Sequence, residues 1–259
     1  MKRREFVAAT CLAGLAPLSK IAQAREAGAP SAKQYLDLRL YQVASEAKQK
    51  LLIEFFGEAA VPALNRIGIG PVGVFRFMEE DTPNLYVLLP HNSAESVVTA
   101  PRLMADPKYR KAGAAVLDVP QSDPAYQRIE SSLMLAFDGV PKVQTPAKGR
   151  SRVFQLRTYE SHNAERACKK IEMFNTGGEL EIFARTGLPV VFFGETLIGT
   201  KMPNLTYMLG FDSMEANKKG WETFMADPQW KKLRADPAYK DTVSNITNIM
   251  LRPASCSQI

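Results

Sequence analysis

Two arginine–tyrosine pairs stand in the same setting in this chain, Leu38-Arg39-Leu40-Tyr41 and Leu156-Arg157-Thr158-Tyr159. A guanidinium is a rigid fork of donors suited to a carboxylate or other anion, and a phenol adds an apolar wall with a polar tip. Arg39, Tyr41, Arg157 and Tyr159 are therefore the candidate ligand-binding residues. A buried arginine needs a partner, because an unpaired charge away from water is costly. The competing reading is a salt bridge to Asp37, Glu54 or Glu172. The chain has two histidines, His91 and His162. His91 ends a predicted strand and is the candidate general base, since imidazole titrates near neutrality; other catalytic residues stay unassigned.

Other chemistries lack their residues. Neither histidine sits in a His-x-x-His or Glu-x-x-His spacing, so no metal and no cofactor are expected. Neither a G-x-S-x-G nor a Cys–His arrangement suggests acyl transfer. Gly68-Ile69-Gly70-Pro71-Val72-Gly73 spells G-x-G-x-x-G, but it follows a predicted helix and opens a strand. A phosphate-binding loop runs the other way, from strand into helix N-terminus.

The elements that position the arginines are written twice. Leu36 to Tyr41 returns as Phe154 to Tyr159, Arg66-Ile67-Gly68 as Arg185-Thr186-Gly187, Pro83-Asn84-Leu85 as Pro203-Asn204-Leu205, and Met104 to Pro107 as Met225 to Pro228. The offset grows only from 118 to 121 residues, which marks a duplicated small domain. In the first copy, residues 35–43 alternate, with Leu36, Leu38 and Leu40 on one face and Tyr35, Asp37, Arg39 and Tyr41 on the other. Residues 46–67 read as a helix kinked or broken between Gly57 and Pro62. Strands follow at 72–78 and 85–89, then a helix opening at Asn92 with Glu95 three residues on, matched by Asp212 and Glu215. Asp106-Pro107 and Asp227-Pro228 each start another short helix. A last strand closes each copy, at 129–137 and 244–252. The first copy carries extra residues between Lys111 and Ser122.

Each copy thus reads β-α-β-β-α-β, the ferredoxin-like order, an antiparallel sheet with helices on one face. The predicted class is α+β, with the two sheets packed face to face. Tyr35, Tyr41 and Tyr159 are expected on the uncovered face, which places Arg39 and Arg157 between the sheets. The predicted boundaries are an export signal at 1–24, a flexible segment at 25–34, repeat 1 at 35–138, a Gly- and Pro-containing linker at 139–150, repeat 2 at 151–253 and a tail at 254–259.

The export reading rests on Lys2-Arg3-Arg4-Glu5-Phe6, an apolar run from Val7 to Leu18 and the A-x-A site Ala22-Gln23-Ala24. That run is too short to span a membrane. The paired arginines and Lys20 resemble a bacterial twin-arginine signal, with the Sec route as the alternative; a periplasmic or secreted destination follows. Residues 1–24 carry Lys2, Arg3, Arg4 and Lys20 against Glu5, so without them the formal charge falls from +6 to +3. That is too little for a nucleic-acid surface. Cys168 and Cys256 could pair in an oxidising compartment if the tail folds back; the reading adopted is two separate thiols.

The Leu-Arg-x-Tyr strand, the Arg-x-Gly helix end and the segments Asp106-Pro107-Lys108-Tyr109 and Asp227-Pro228-Gln229-Trp230 together resemble the NIPSNAP family, over most of residues 35–252 and twice over. The resemblance implies two ferredoxin-like units forming a dimeric α/β barrel with pseudo-twofold symmetry inside one chain. It implies no catalytic residues; the wider superfamily includes small monooxygenases, haem-degrading enzymes and isomerases, but a fold does not transfer chemistry. Pro62 and Tyr109 lack identical counterparts in the second copy, so the two halves need not share a site. The expected function is a binding or structural barrel; the alternative is a cofactor-independent monooxygenase- or isomerase-like enzyme. The expected partner is a small anionic or aromatic ligand, with self-association left open.

Overall fold

The computed structural model describes residues 32–78 and 81–259. The export segment at 1–24 and most of the segment at 25–34 lie outside them. The elements are β1 (Tyr35–Gln42), α1 (Glu46–Phe55), α2 (Val61–Arg66), β2 (Gly73–Phe77), β3 (Leu85–His91), α3 (Ala94–Thr99), α4 (Pro107–Ala112), α5 (Ala114–Leu117) and β4 (Arg128–Ala136) in the first half. The second half has β5 (Val153–Glu160), α6 (Ala164–Asn175), α7 (Glu179–Thr186), β6 (Val190–Ile198), β7 (Asn204–Phe211), α8 (Met214–Ala226), α9 (Pro228–Arg234) and β8 (Asn245–Pro253).

The eight strands close into one antiparallel barrel in the order β1-β3-β2-β8-β5-β7-β6-β4. Within each half the strands lie fourth-first-third-second, and the seams between halves are β2–β8 and β4–β6. Closure removes every open sheet edge. Leu36, Leu38, Phe75, Met134, Phe154, Leu156, Phe192 and Met208 fill the barrel from both halves. At one end Phe75 packs on Phe154 at 5.0 Å, and Ala147 and Ile259 add their side chains to the same plug.

This corrects the face assigned to β1 and β5. The leucine face points into the barrel, and Arg39, Tyr41, Arg157 and Tyr159 point outward beneath the helices: Tyr41 packs with Phe56 and Leu64, Tyr159 with Phe174 and Phe183. Alternation separates two faces without saying which one the helices take. An eight-stranded barrel has an interior just wide enough for side chains, here leucine, methionine and phenylalanine, whereas a ring such as Tyr41 gains most against an aromatic helix face.

Between α1 and α2 the helix passes through a π turn at Phe56–Ala60. Pro62, in the first turn of α2, has no N–H to continue the α ladder, and the wider turn absorbs the mismatch without breaking the helix. The caps of α3 and α8 are Ser93 and Ser213, one residue later than expected; they accept from Ser96 N and Ala216 N, both at 3.2 Å. Asp212 is used elsewhere, accepting from Lys148 N and Gly149 N of the segment joining the halves.

The Asp-Pro motifs are helix starts with a latch. Asp227 accepts from Gln229 N and Trp230 N and takes Arg185 at 2.8 and 3.1 Å; Asp106 caps α4 in the same way and takes Arg66. Arg66 and Arg185 therefore bind cap carboxylates. These arginines hold both carboxyls below the usual range. Proline at the first position and the aromatic ring two residues later, Tyr109 or Trp230, complete each motif and drop the ring into the core. The tail is likewise fixed: Ala254 N and Gln258 N donate to Val74 O and Val72 O. Cys168 and Cys256 are both free thiols, Cys168 exposed and Cys256 packed on the first half's core.

Candidate functional site

Under the helices of the first half lies a cavity of about 250 Å³, walled by Tyr41, Phe55, Phe56, Tyr109 and Tyr126, with Arg39 as its one charged lining residue. Ala60, Leu64, Leu89, Ala100 and Val116 complete the apolar wall. Arg39 donates from Nε and Nη2 to Asp37 Oδ2 at 2.8 and 2.6 Å. That ion pair is the one the sequence offered as the competing reading, and the guanidinium also interacts with the Tyr41 hydroxyl. Asp37 is buried and takes a further hydrogen bond from Ser131 Oγ at 2.5 Å. Burial pushes the phenol of Tyr41 above its ordinary range, and burial pushes Tyr109 to about 12, so both stay protonated as donors at neutral pH.

Arg157 and Tyr159 occupy the same register in the second half, but not beside an open space. Arg157 pairs across β5–β7 with Tyr207, where Arg39 pairs with Val87. Counted from the Asp-Pro anchors, Trp221 stands where the first half has Ala100. The guanidinium of Arg157 lies over the Trp221 ring at 4.7 Å, Tyr159 hydroxyl meets Tyr207 hydroxyl at 2.9 Å, and Trp221 Nε1 donates to Gln155 Oε1 at 2.6 Å. Lys170 and Glu179 form an ion pair at 2.7 Å in the same core, 4% and 2% exposed. Large rings and a buried ion pair fill this region of the second half, where Trp221 and Glu179 stand at the repeat positions of the cavity-lining Ala100 and Ala60.

The structure thus separates the four sequence candidates into a lined cavity, Arg39 and Tyr41, and a packed core, Arg157 and Tyr159. It adds Asp37, Tyr109 and Tyr126. It also gives a role to the extra residues of the first copy: they form α5, whose Val116 and Leu117 line the cavity. The signal for this was present in the mismatch of Ala100 with Trp221, and it needed the register between strands and helices to be read.

His91 is buried two residues beyond Leu89 on the same sheet face, with Nδ1 2.9 Å from Ser96 Oγ. Its Nε2 has no hydrogen-bond partner among the described residues. Burial lowers its pKa; the Asp37 charge opposes that shift and the Arg39 charge adds to it. A base whose folded pKa is depressed is protonated preferentially in the unfolded chain, so its contribution to stability is complete above about pH 6.5 and is lost as pH falls. In the second half Phe211 holds this place. His91→Phe should therefore flatten the stability profile between about pH 5 and 7, read as chemical denaturation midpoints; an unchanged slope would mean that other groups carry it. His162 has no such setting.

No group of three metal-ligating side chains forms among the described residues, and no helix among them is long and apolar enough to cross a membrane.

Comparison with known proteins agrees with this architecture. The NIPSNAP family model matches residues 154–258. A protein from Lactobacillus acidophilus named as a candidate monooxygenase is similar over 86% of this chain and 95% of its own, with TM-score 0.59 and 9% identity. One of the same description from Fusobacterium nucleatum shows TM-score 0.56, 9% identity and coverage of 86% and 93%. A protein called anthrone oxidase-like shows TM-score 0.50, 14% identity and coverage of 86% and 94%. At these identities the likeness is one of fold. No curated protein matches the chain. By the family model, residues 154–258 are identified as a NIPSNAP domain.

Proposed function

We propose that the chain is an exported small-molecule-binding barrel with an aromatic site in the cavity under the helices of the first half. The ligand is a flat one- or two-ring molecule with an anionic oxygen toward the Arg39 guanidinium. The observation that carries this is the asymmetry of the halves: the same framework is open around Arg39 and filled around Arg157. In this reading each half is a ferredoxin-like βαββαβ unit, related by pseudo-twofold symmetry, with the second half serving as structural partner. The repeated sequence and the strand order within each half support it. Export rests on Arg3-Arg4 and Ala22-Gln23-Ala24.

The volume suits the ligand: an apolar cavity of about 150 Å³ accepts benzene, and this one is larger and carries a charge. The experiment is calorimetric titration with 2-naphthoate against neutral naphthalene-2-methanol. Ala100→Trp should abolish binding of both while the fold persists, because the indole N–H can reach Asp37, which stands at the register position of Gln155. Arg39→Met should remove the preference for the anion, about 1.5–3 kcal/mol for a charged hydrogen bond. Binding that survives Ala100→Trp would place the ligand elsewhere.

A second reading has a specific observation behind it: His91, a buried imidazole kept neutral, shares the sheet face with Asp37 and Arg39. It is cofactor-independent oxidation of a bound phenol, with His91 as the base and Arg39 holding the phenolate. Oxygen uptake by the complex with 1-hydroxynaphthalene, lost in His91→Phe, would establish it; ligand binding without uptake leaves the chain a binder.

A further inference from the structure

The barrel is plugged at one end by Phe75, Phe154 and Ile259. At the other end, where β5 finishes and β7 and β8 begin, it opens into a cup of about 390 Å³ between the two halves. Its floor is aliphatic, Leu38, Leu156 and Ile249. One wall is a row of hydroxyls: Thr158 pairs in register with Thr206 on β7 and with Thr247 on β8. At the same level of the first half the row is Glu130, Leu40 and Tyr86. A leucine can evidently close that level of the barrel, so the fold does not require threonine there.

The hydrogen bonds fix what the hydroxyls can still do. Thr206 Oγ1 donates to Asn204 Oδ1 at 3.4 Å, and Asn204 is held by Thr196 and by the carbonyls of Thr200 and Lys201. The Thr158–Thr206 contact at 2.9 Å can run in either direction; when Thr206 donates to Asn204, Thr158 donates to Thr206. The remaining lone pairs of Thr158 are then acceptors. Thr247 Oγ1 accepts from Lys201 Nζ at 3.2 Å, which leaves its own proton to donate. Neighbouring strands therefore offer one acceptor and one donor side by side above an apolar floor. A hydroxyl group fits this pair best, since it gives and takes one hydrogen bond each, whereas a carboxylate cannot satisfy Thr158 and an ammonium cannot satisfy Thr247.

We propose that this cup is a second binding site, formed by both halves, for a small polyhydroxylated molecule, a cyclic polyol or monosaccharide. Its C–H face lies on Leu38, Leu156 and Ile249 and its hydroxyls on Thr158 and Thr247. Glu130 and Lys201 stand at the rim as further acceptor and donor. The site is independent of the cavity at Arg39.

The test is a methyl-labelled NMR titration of the full chain with myo-inositol and glucose, and with free leucine as a zwitterionic control. The polyols should shift the methyls of Thr158, Thr206, Thr247, Leu38 and Ile249. Thr158→Val and Thr247→Val, which keep shape and remove one hydroxyl, should each weaken the response roughly tenfold; Ala100→Trp should leave it unchanged. Absence of shifts with either polyol overturns the proposal. So does a response equal in wild type and both valine variants, or one produced by leucine alone.

Discussion

Lys170→Met should destabilise the protein by about 3–5 kcal/mol, seen as a fall in the denaturation midpoint without loss of the barrel's strand signal. Lys170 Nζ meets Glu179 Oε2 at 2.7 Å and lies 4.3 Å from the centre of the Phe174 ring, with both partners almost wholly out of water. Burial raises the carboxyl pKa of Glu179, and the nearby charges of Lys170 and Arg157 oppose that shift. Removing the ammonium alone leaves a buried carboxylate whose main compensation is gone, which costs far more than an exposed ion pair contributes. Lys170→Met with Glu179→Met should recover most of the loss, since two apolar chains of similar length need no solvation. A double variant as unstable as the single one would show that packing around Phe174, not charge, sets the cost.

Trp221→Ala should cost about 3–5 kcal/mol and should open in the second half a counterpart of the first half's cavity. Trp221 packs edge-on against Phe183 at 6.0 Å and Phe224 at 5.5 Å, and the Arg157 guanidinium stacks on it. Gln155 Oε1 loses the indole donor and keeps Asn217 Nδ2 at 3.0 Å, so the penalty is chiefly the hole. The surrounding rings of Phe183 and Phe224 sit on helices packed against the closed barrel and cannot collapse far. Indole added in excess should therefore restore part of the lost thermal stability, by the ordinary linkage of binding to folding. Restoration by indole in Trp221→Ala and its absence in Lys170→Met would show that the aromatic lining shapes the hole; equal effects on both would sink that explanation.

These two variants rest on a comparison that a linear reading supplies only in part. The repeat at offsets 118 to 121 is visible in the residues themselves, and with it the element order and the pairing of Arg39-x-Tyr41 with Arg157-x-Tyr159. The Asp-Pro helix starts are equally legible, because a cap and a proline act over three or four residues. The backward G-x-G-x-x-G at Gly68 could be dismissed for the same local reason, and the structure has it ending a helix and leading into β2.

Local rules stop at the strand faces. A period of two shows that Leu38 and Arg39 point apart; whether leucine or arginine meets the helices depends on how wide the closed barrel is and on what rings α1, α2, α6 and α7 present. The cavity is still less local. It exists because Ala100 and Ala60, from two separate elements, are small at one point in space, while Trp221 and Glu179, at the same repeat positions, are large. No one of these residues is unusual in its own segment. The sequence by itself determined the repeat, the order of elements and the two arginine–tyrosine pairs in equivalent settings. Only the tertiary structure decided that one arginine faces open space and the other a packed core, because volume left between elements is a property of all of them together.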